Sequence, residues 1–268
     1  MDLQTRTGTS DYSYKAWKGT FYPEGLSQDE WLSYYASQLP SVEINNTFYR
    51  MPRTHVVEAW RDAVSSTFRF VIKASRRITH QSRLKDCEEP TVYLLKRAET
   101  MGRKLGAILF QLPPYMRADL DRLKTFQELL PESLPVAFEF RHDSWLDADV
   151  DSVLRARNHA RVITHNESDK PGDIPANKLA YLRLRAFKYT DAALRKWQSR
   201  ISASGAQNAF VFFKPEDDGA GPAMASRYLE IANGAKPRRT ATKRTDAGAK
   251  PARAAPRKVK RTSKSKPA

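Results

Sequence analysis

Between residues 41 and 45 the chain alternates with a period of two, Val42 and Ile44 on one face and Glu43 and Asn45 on the other. Helical patterns flank this stretch, so it is expected to be a parallel strand between two helices, where both faces are normally apolar. A carboxylate and an amide turned inward need partners. The same anomaly recurs on later strands, and that recurrence points to a site.

Carried along the chain, the pattern predicts strands at 5–10, 41–45, 68–73, 105–111, 136–141, 161–164, 180–185 and 209–214. Helices are expected between them: one opened by the Ser27–Glu30 capping box, one from Thr54, then 90–102, 119–130, 147–158, 190–202 and 221–234. Pro171, Gly172 and Pro175 interrupt 166–178, so one crossover should be irregular. Eight alternating pairs predict a somewhat irregular (β/α)8 TIM-type barrel, and 268 residues match its usual size of about 250. The rival, a doubly wound sheet, lacks its glycine turn after the first strand. Tyr12, Tyr14, Trp17, Phe21 and Tyr22 are expected to pack the first helix on the barrel, a few of them rimming its mouth.

Strand parity selects the inward side chains. By that rule Glu43 and Asn45 point to the barrel axis together with Lys73, Gln111, the pair Glu139 and Arg141, and the pair Arg183 and Arg185. Each lies near the carboxyl end of its strand, where barrel enzymes place their sites. His142, His165 and Lys214 fall just beyond strand ends, and His80 sits in a basic loop able to close over a ligand. Glu43 and Glu139 are the candidate general acid and base. Asn45, Lys73, His80, Gln111, Arg141, His142, Arg183, Arg185 and Lys214 are the candidate substrate-binding groups, their positive excess favouring phosphate or carboxylate. The structural alternative is a buried ion-pair plug closing the top of the barrel.

No metal site is assigned. A set of His142, His165 and the two carboxylates is conceivable, but the histidines lack a close ligand spacing. His55 and His159 fall in helical patterns and are expected at the surface. The stretch from Asp217 to Pro222 resembles a phosphate loop at a helix start, although a tight turn explains it as well. Cys87 excludes an internal disulfide and shows no partner that would activate it.

Charge divides the chain. Of the net +16, +12 belongs to residues 236–268, which hold 13 Lys and Arg against Asp246 alone. That segment has almost no large apolar side chains and is expected to be a disordered tail beyond a domain at 1–235. Its charge density suits DNA or RNA through counterion release. A polar N-terminus and the lack of an apolar run of about 20 residues lead us to expect a cytoplasmic protein, with no membrane partner and with nucleoid association through the tail.

Gly8-Thr9-Ser10, Tyr14, Trp17, Phe21-Tyr22-Pro23 and the run from Val42 to Tyr49 closely resemble the YecE-like family. The likeness continues through Phe70 to Ser75, Ile78-Thr79-His80, Leu109 to Pro114, Phe138 to His142, Ser144-Trp145, Tyr181 to Arg185 and Val211 to Lys214. It covers about residues 5–232. The resemblance implies an α/β barrel with a polar site at its mouth, and implies no settled reaction or cofactor. The family's shared polar positions fall on Glu43, Asn45, Lys73, Gln111, Glu139, Arg141 and Arg183. Three positions depart from its pattern: Asp11 for a usual glycine, His165 for a frequent Asp, and Pro215 for a common His.

Three functions fit these features. One is an enzyme or ligand-binding barrel for an anionic substrate, as an enzyme most simply a hydrolase of phosphate-containing compounds. Another is a nucleic-acid-binding protein or metal-dependent phosphodiesterase. A third is a non-catalytic barrel with an ion-pair plug. For the first, Arg183→Ala is expected to abolish anion binding and leave the fold intact.

Overall fold

The computed structural model describes residues 3–166, 172–214 and 219–235. Its strands are β1 (Gln4–Thr9), β2 (Ser41–Ile44), β3 (Arg69–Lys73), β4 (Leu105–Gln111), β5 (Val136–Glu139), β6 (Ala160–His165), β7 (Leu179–Leu184) and β8 (Asn208–Phe213). Every ladder is parallel, in the order β1-β8-β7-β6-β5-β4-β3-β2. The two ends of this sheet meet at a bridge between Ser10 and Glu43, which makes a nearly closed TIM-type barrel. Around it lie α1 (Trp31–Gln38), α2 (Thr54–Asp62), α3 (Glu88–Glu99), α4 (Leu120–Glu128), α5 (Ala148–Ala156), α6 (Asp191–Ala203) and α7 (Ala220–Ala232). The described part of the β6–β7 connection, 172–178, contains no helix, as the prolines and glycine there predicted.

Two apolar clusters follow from strand parity. The larger fills the layer between sheet and helices. The smaller fills the barrel, where Ala107, Ala137 and Ala160 leave room for Phe210, Phe212 and Tyr181. The N-terminal aromatics are core, as expected: Trp17, Tyr22, Trp31 and Tyr35 are all buried. Tyr22 and Trp31 stack with centroids 4.9 Å apart.

The β1–β2 seam closes at one backbone bridge and several side chains. Tyr35 Oη lies within hydrogen-bonding distance of Thr9 N, Thr9 Oγ1 and Ser41 O, and Ser41 Oγ donates to Thr7 O. Gly8 makes the approach possible, because a Cβ there would stand 1.9 Å from Ser41 O. At β5–β6 the ladder is short. Only Ala137 with Ala160 and Phe138 with Arg161 are paired, and a cleft opens beyond them.

Several local expectations change. Strand β5 stops at Glu139, so Arg141 lies in the loop beyond it. Strand β6 runs one residue further at each end and includes His165. Residues 77–81, expected as loop, form a turn of π-helix. His159 is fully buried rather than at the surface. It precedes β6 instead of lying in α5, and its Nδ1 pairs with Gln127 Nε2 at 2.8 Å. Burial pulls its pKa down to about 4.

Candidate functional site

Glu43 sits on β2 beside the seam, and its carboxylate is wholly buried. Oε1 accepts from Ser10 Oγ at 2.6 Å, Arg183 Nη2 at 2.8 Å and Asn45 Nδ2 at 3.2 Å, with Arg185 Nη2 at 3.5 Å. Oε2 accepts from Tyr181 Oη at 2.6 Å. Burial opposes the charge, yet Arg183, Arg185 and these donors outweigh it and hold the carboxyl at about 2. The same surroundings raise the Tyr181 phenol well above its ordinary range, through burial first and then the Glu43 charge.

Arg183 joins this carboxylate to a second one. Its Nη1 donates to Glu139 Oε2 at 2.6 Å while Nη2 holds Glu43. The two carboxylates more than offset the cost of burying the guanidinium, so its pKa rises. Glu139 Oε1 also accepts from Gln111 Nε2 at 2.8 Å. Arg185 donates to Ser10 Oγ at 2.8 Å, which ties β7 to the seam. Five elements of the barrel thus end in one hydrogen-bonded floor above the apolar interior.

Beyond this floor the charges are less satisfied. Arg141 is half exposed, and its Nε stands 3.9 Å from Glu139 Oε1. Lys73 Nζ lies 4.4 Å from the centre of the Phe48 ring and has no hydrogen bond or ion pair among the described residues. Burial and the neighbouring Arg183 pull its pKa down to about 8, against Glu139 and Glu43, and Arg141 adds to the fall. His80 packs edge-on against Phe48, and its Nδ1 meets Thr79 Oγ1 at 2.9 Å. Burial lowers its pKa, and the Lys73 and Arg141 charges lower it further.

His142 Nδ1 accepts the Ser144 amide at 3.1 Å, which leaves the proton of the neutral ring on Nε2. An open cleft of about 900 Å³ adjoins this region, lined by Gln111, Glu139, Arg141, His142, Arg183, Arg185 and Lys214 among others. Its far wall is β6, from Arg161 to Thr164.

Parity therefore brings Glu43, Asn45, Gln111, Glu139, Arg183 and Arg185 into one network, with Lys73, His80, Arg141, His142 and Lys214 around it. It passed over three residues. Ser10 closes the seam, and Tyr181 shares the face of Arg183 two residues earlier, a signal that parity contained. Asp11 adopts φ +64, the left-handed conformation that favours the glycine of the resemblance. Its Oδ1 accepts the Asn45 amide at 3.0 Å. Burial lifts its pKa to about 6, the Asn45 amide opposing and the Glu43 charge assisting.

The conceivable metal set does not assemble. His165 Nδ1 meets Tyr189 Oη at 2.9 Å and its ring packs against Trp197 of α6. Among the described residues no three His, Cys, Asp or Glu side chains stand together as metal ligands. Pro215, Asp217 and Asp218 lie outside the described residues, as does 236–268. Gly219, in the left-handed conformation at φ +79, caps α7. No described helix is long and apolar enough to cross a membrane.

Comparison with known proteins places this architecture. The family described as "Protein of unknown function DUF72" matches residues 6–248, which reaches into the basic segment. The UPF0759 protein YecE of Escherichia coli is 32% identical over 112 residues, 41% of each chain. The match thus spans about two-fifths of that relative. The UPF0759 protein YunF of Bacillus subtilis is 22% identical over 253 residues, covering 79% of this chain and 90% of the other. A crystal structure of a DUF72 family protein from Thermotoga maritima superimposes with a TM-score of 0.75 at 22% identity, covering 86% of this chain and 99% of that one. The chain belongs to the DUF72 family.

Proposed function

We propose that this DUF72 barrel binds a small anionic ligand, bearing phosphate or carboxylate, at the carboxyl mouth of its strands. One observation carries the reading: Arg183 and Arg185 together match the charge of the two inward carboxylates, whereas Lys73 has no ion pair among the described residues and Arg141 has only a long one, its Nε 3.9 Å from Glu139 Oε1. Arg141 offers a planar fork suited to an oxyanion, and His142 Nε2–H adds a neutral donor at the cleft wall. Lys214 extends the positive lining.

Glu43 is saturated by donors, which suits an organising role better than proton transfer. Glu139 borders the cleft and is the carboxylate better placed to act on a ligand there. The ligand is tested with the intact chain by following thermal unfolding with inorganic phosphate or nucleotides. Phosphate should raise the unfolding temperature of the parent and not of Arg141→Ala, whose own stability should lie within about 0.5 kcal/mol of the parent. Equal protection of both would remove Arg141 from the ligand site.

A second reading concerns residues 236–268. Their 13 basic side chains favour sequence-independent DNA or RNA binding, with the barrel carried along. Truncation after Gly234 should then abolish most of the salt-sensitive DNA affinity. Undiminished binding would move the interface onto the barrel.

A further inference from the structure

Lys73 differs from the other cations of the mouth in what surrounds its amine. It is the last residue of β3, pointing inward and half-buried. Its Nζ stands 4.4 Å from the centre of the Phe48 ring, against which His80 packs, and it feels the charges of Arg183 and Arg141. Glu43 and Glu139 are near enough to be felt, but their oxygens are held by Arg183, Ser10, Tyr181 and Gln111. An ordinary structural lysine finds a carboxylate or carbonyl. This one finds an aromatic ring.

We propose that Lys73 is an amine nucleophile that forms an imine with a carbonyl-bearing anion, a 2-oxo acid or a phosphorylated aldehyde, bound at the mouth. Nζ adds to the carbonyl carbon, and both amine hydrogens leave with the carbonyl oxygen as water, so the carbon–oxygen bond is replaced by a carbon–nitrogen double bond. No oxidant or metal is required. Nearby cations and partial desolvation are the two settings that activate such lysines. With its pKa at about 8, roughly a tenth of the amine is free base at neutral pH, against well under one part in a thousand for a solvated lysine. The anion specificity rests on the cationic mouth proposed above.

The test uses the full chain and pyridoxal 5′-phosphate, an aldehyde that carries a phosphate, at substoichiometric amounts. Borohydride reduction followed by peptide mass mapping locates the adduct. Lys73 should carry most of the label, and Lys73→Arg should lose that adduct without gaining another of equal yield. Label distributed over the many surface lysines with no enrichment at Lys73 overturns the proposal.

Pyridoxal without the phosphate, and competition by inorganic phosphate, separate the two readings. Enrichment at Lys73 by both aldehydes alike, untouched by phosphate, keeps the imine and discards the anion site. Thermal protection by phosphate without enrichment at Lys73 keeps the anion site and discards the imine.

Discussion

The two sides of the barrel mouth are made from the same residue types and end in opposite states. On the side of β1, β2 and β7, Glu43, Tyr181 and Arg183 are buried and Arg185 mostly so, and their charged ends are paired, with Arg183 Nε left over. On the side of β3 and β5, Lys73 and Arg141 are partly exposed; among the described residues Lys73 has no ion pair and Arg141 only the long one to Glu139 at 3.9 Å. The difference follows from the seams. Where β1 and β2 fail to form a ladder, side chains must do the closing, so Ser10, Glu43 and Arg185 are committed to structure. Where β5 and β6 part above Phe138, the strands no longer pair and a cleft opens beside the loop after β5. Charge alone does not mark a binding residue; unsatisfied charge does.

The strongest way to break this comparison is Arg183→Ala. It leaves Glu43 and Glu139 facing each other without their shared cation, inside a region where Glu43 has no solvent contact. Removing one partner of a buried pair costs about 3–5 kcal/mol, and here two carboxylates are stranded. Denaturant unfolding should show that loss directly. This corrects the expectation from sequence that Arg183→Ala would spare the fold: parity placed Arg183 inward but could not show that both of its ends are already held. A loss below about 1 kcal/mol would mean that the floor is not structural.

Acid should test the buried side with a smaller effect. Glu43 is held at about 2, below its ordinary 4.5, so the stability it contributes is complete above 4.5 and is lost as pH falls toward 2. His159, held at about 4 against an ordinary 6.5, acts in the same direction between 6.5 and 4, because the unfolded chain takes up the proton first. Asp11 opposes them: raised to about 6 from 3.8, it makes folding more favourable as pH falls through that interval. Glu43→Gln should therefore flatten the stability–pH curve below about 4. His159→Gln should leave Asp11 unopposed, so that stability rises as pH falls from about 6 toward 4. An unchanged curve in Glu43→Gln would show that the buried carboxylate is not ionised in the fold.

Much of this architecture was legible in the chain. Eight strands and the inward positions followed from period-two patterns, because burial on both faces of a parallel strand makes any inward polar residue conspicuous. The boundaries were less legible where side chains outside the strand decide them. Arg141 looked like the end of β5, yet the strand stops two residues earlier as the loop begins its turn toward Trp145. Asp11 could be seen only as an odd residue, since its meaning lies in a left-handed backbone and a contact with Asn45, 34 residues away. His159 misled for a similar reason. A helical pattern placed it outward, and the partner that buries it, Gln127, belongs to another helix. Sequence spacing reports which way a side chain points along its own element and says nothing of what another element brings to meet it.

The smallest effect should carry the opposite sign. Lys73→Met keeps the aliphatic stem against Phe48 and removes an ammonium that the fold holds at a disadvantage, its pKa lowered to about 8 from 10.5. A depressed lysine costs stability while it is charged, and that cost is lifted as pH rises from 8 to 10.5. Lys73→Met should therefore match or exceed the parent at neutral pH, by up to about 1 kcal/mol once partial solvent screening is allowed for. The gain should vanish above 10.5, where the parent's own lysine is neutral. Chemical denaturation at pH 7 and at pH 10.5 distinguishes this from a packing effect, which would persist at both. A loss of stability at pH 7 would mean that Lys73 is bound into the floor like Arg183, and the two sides of the mouth would no longer differ.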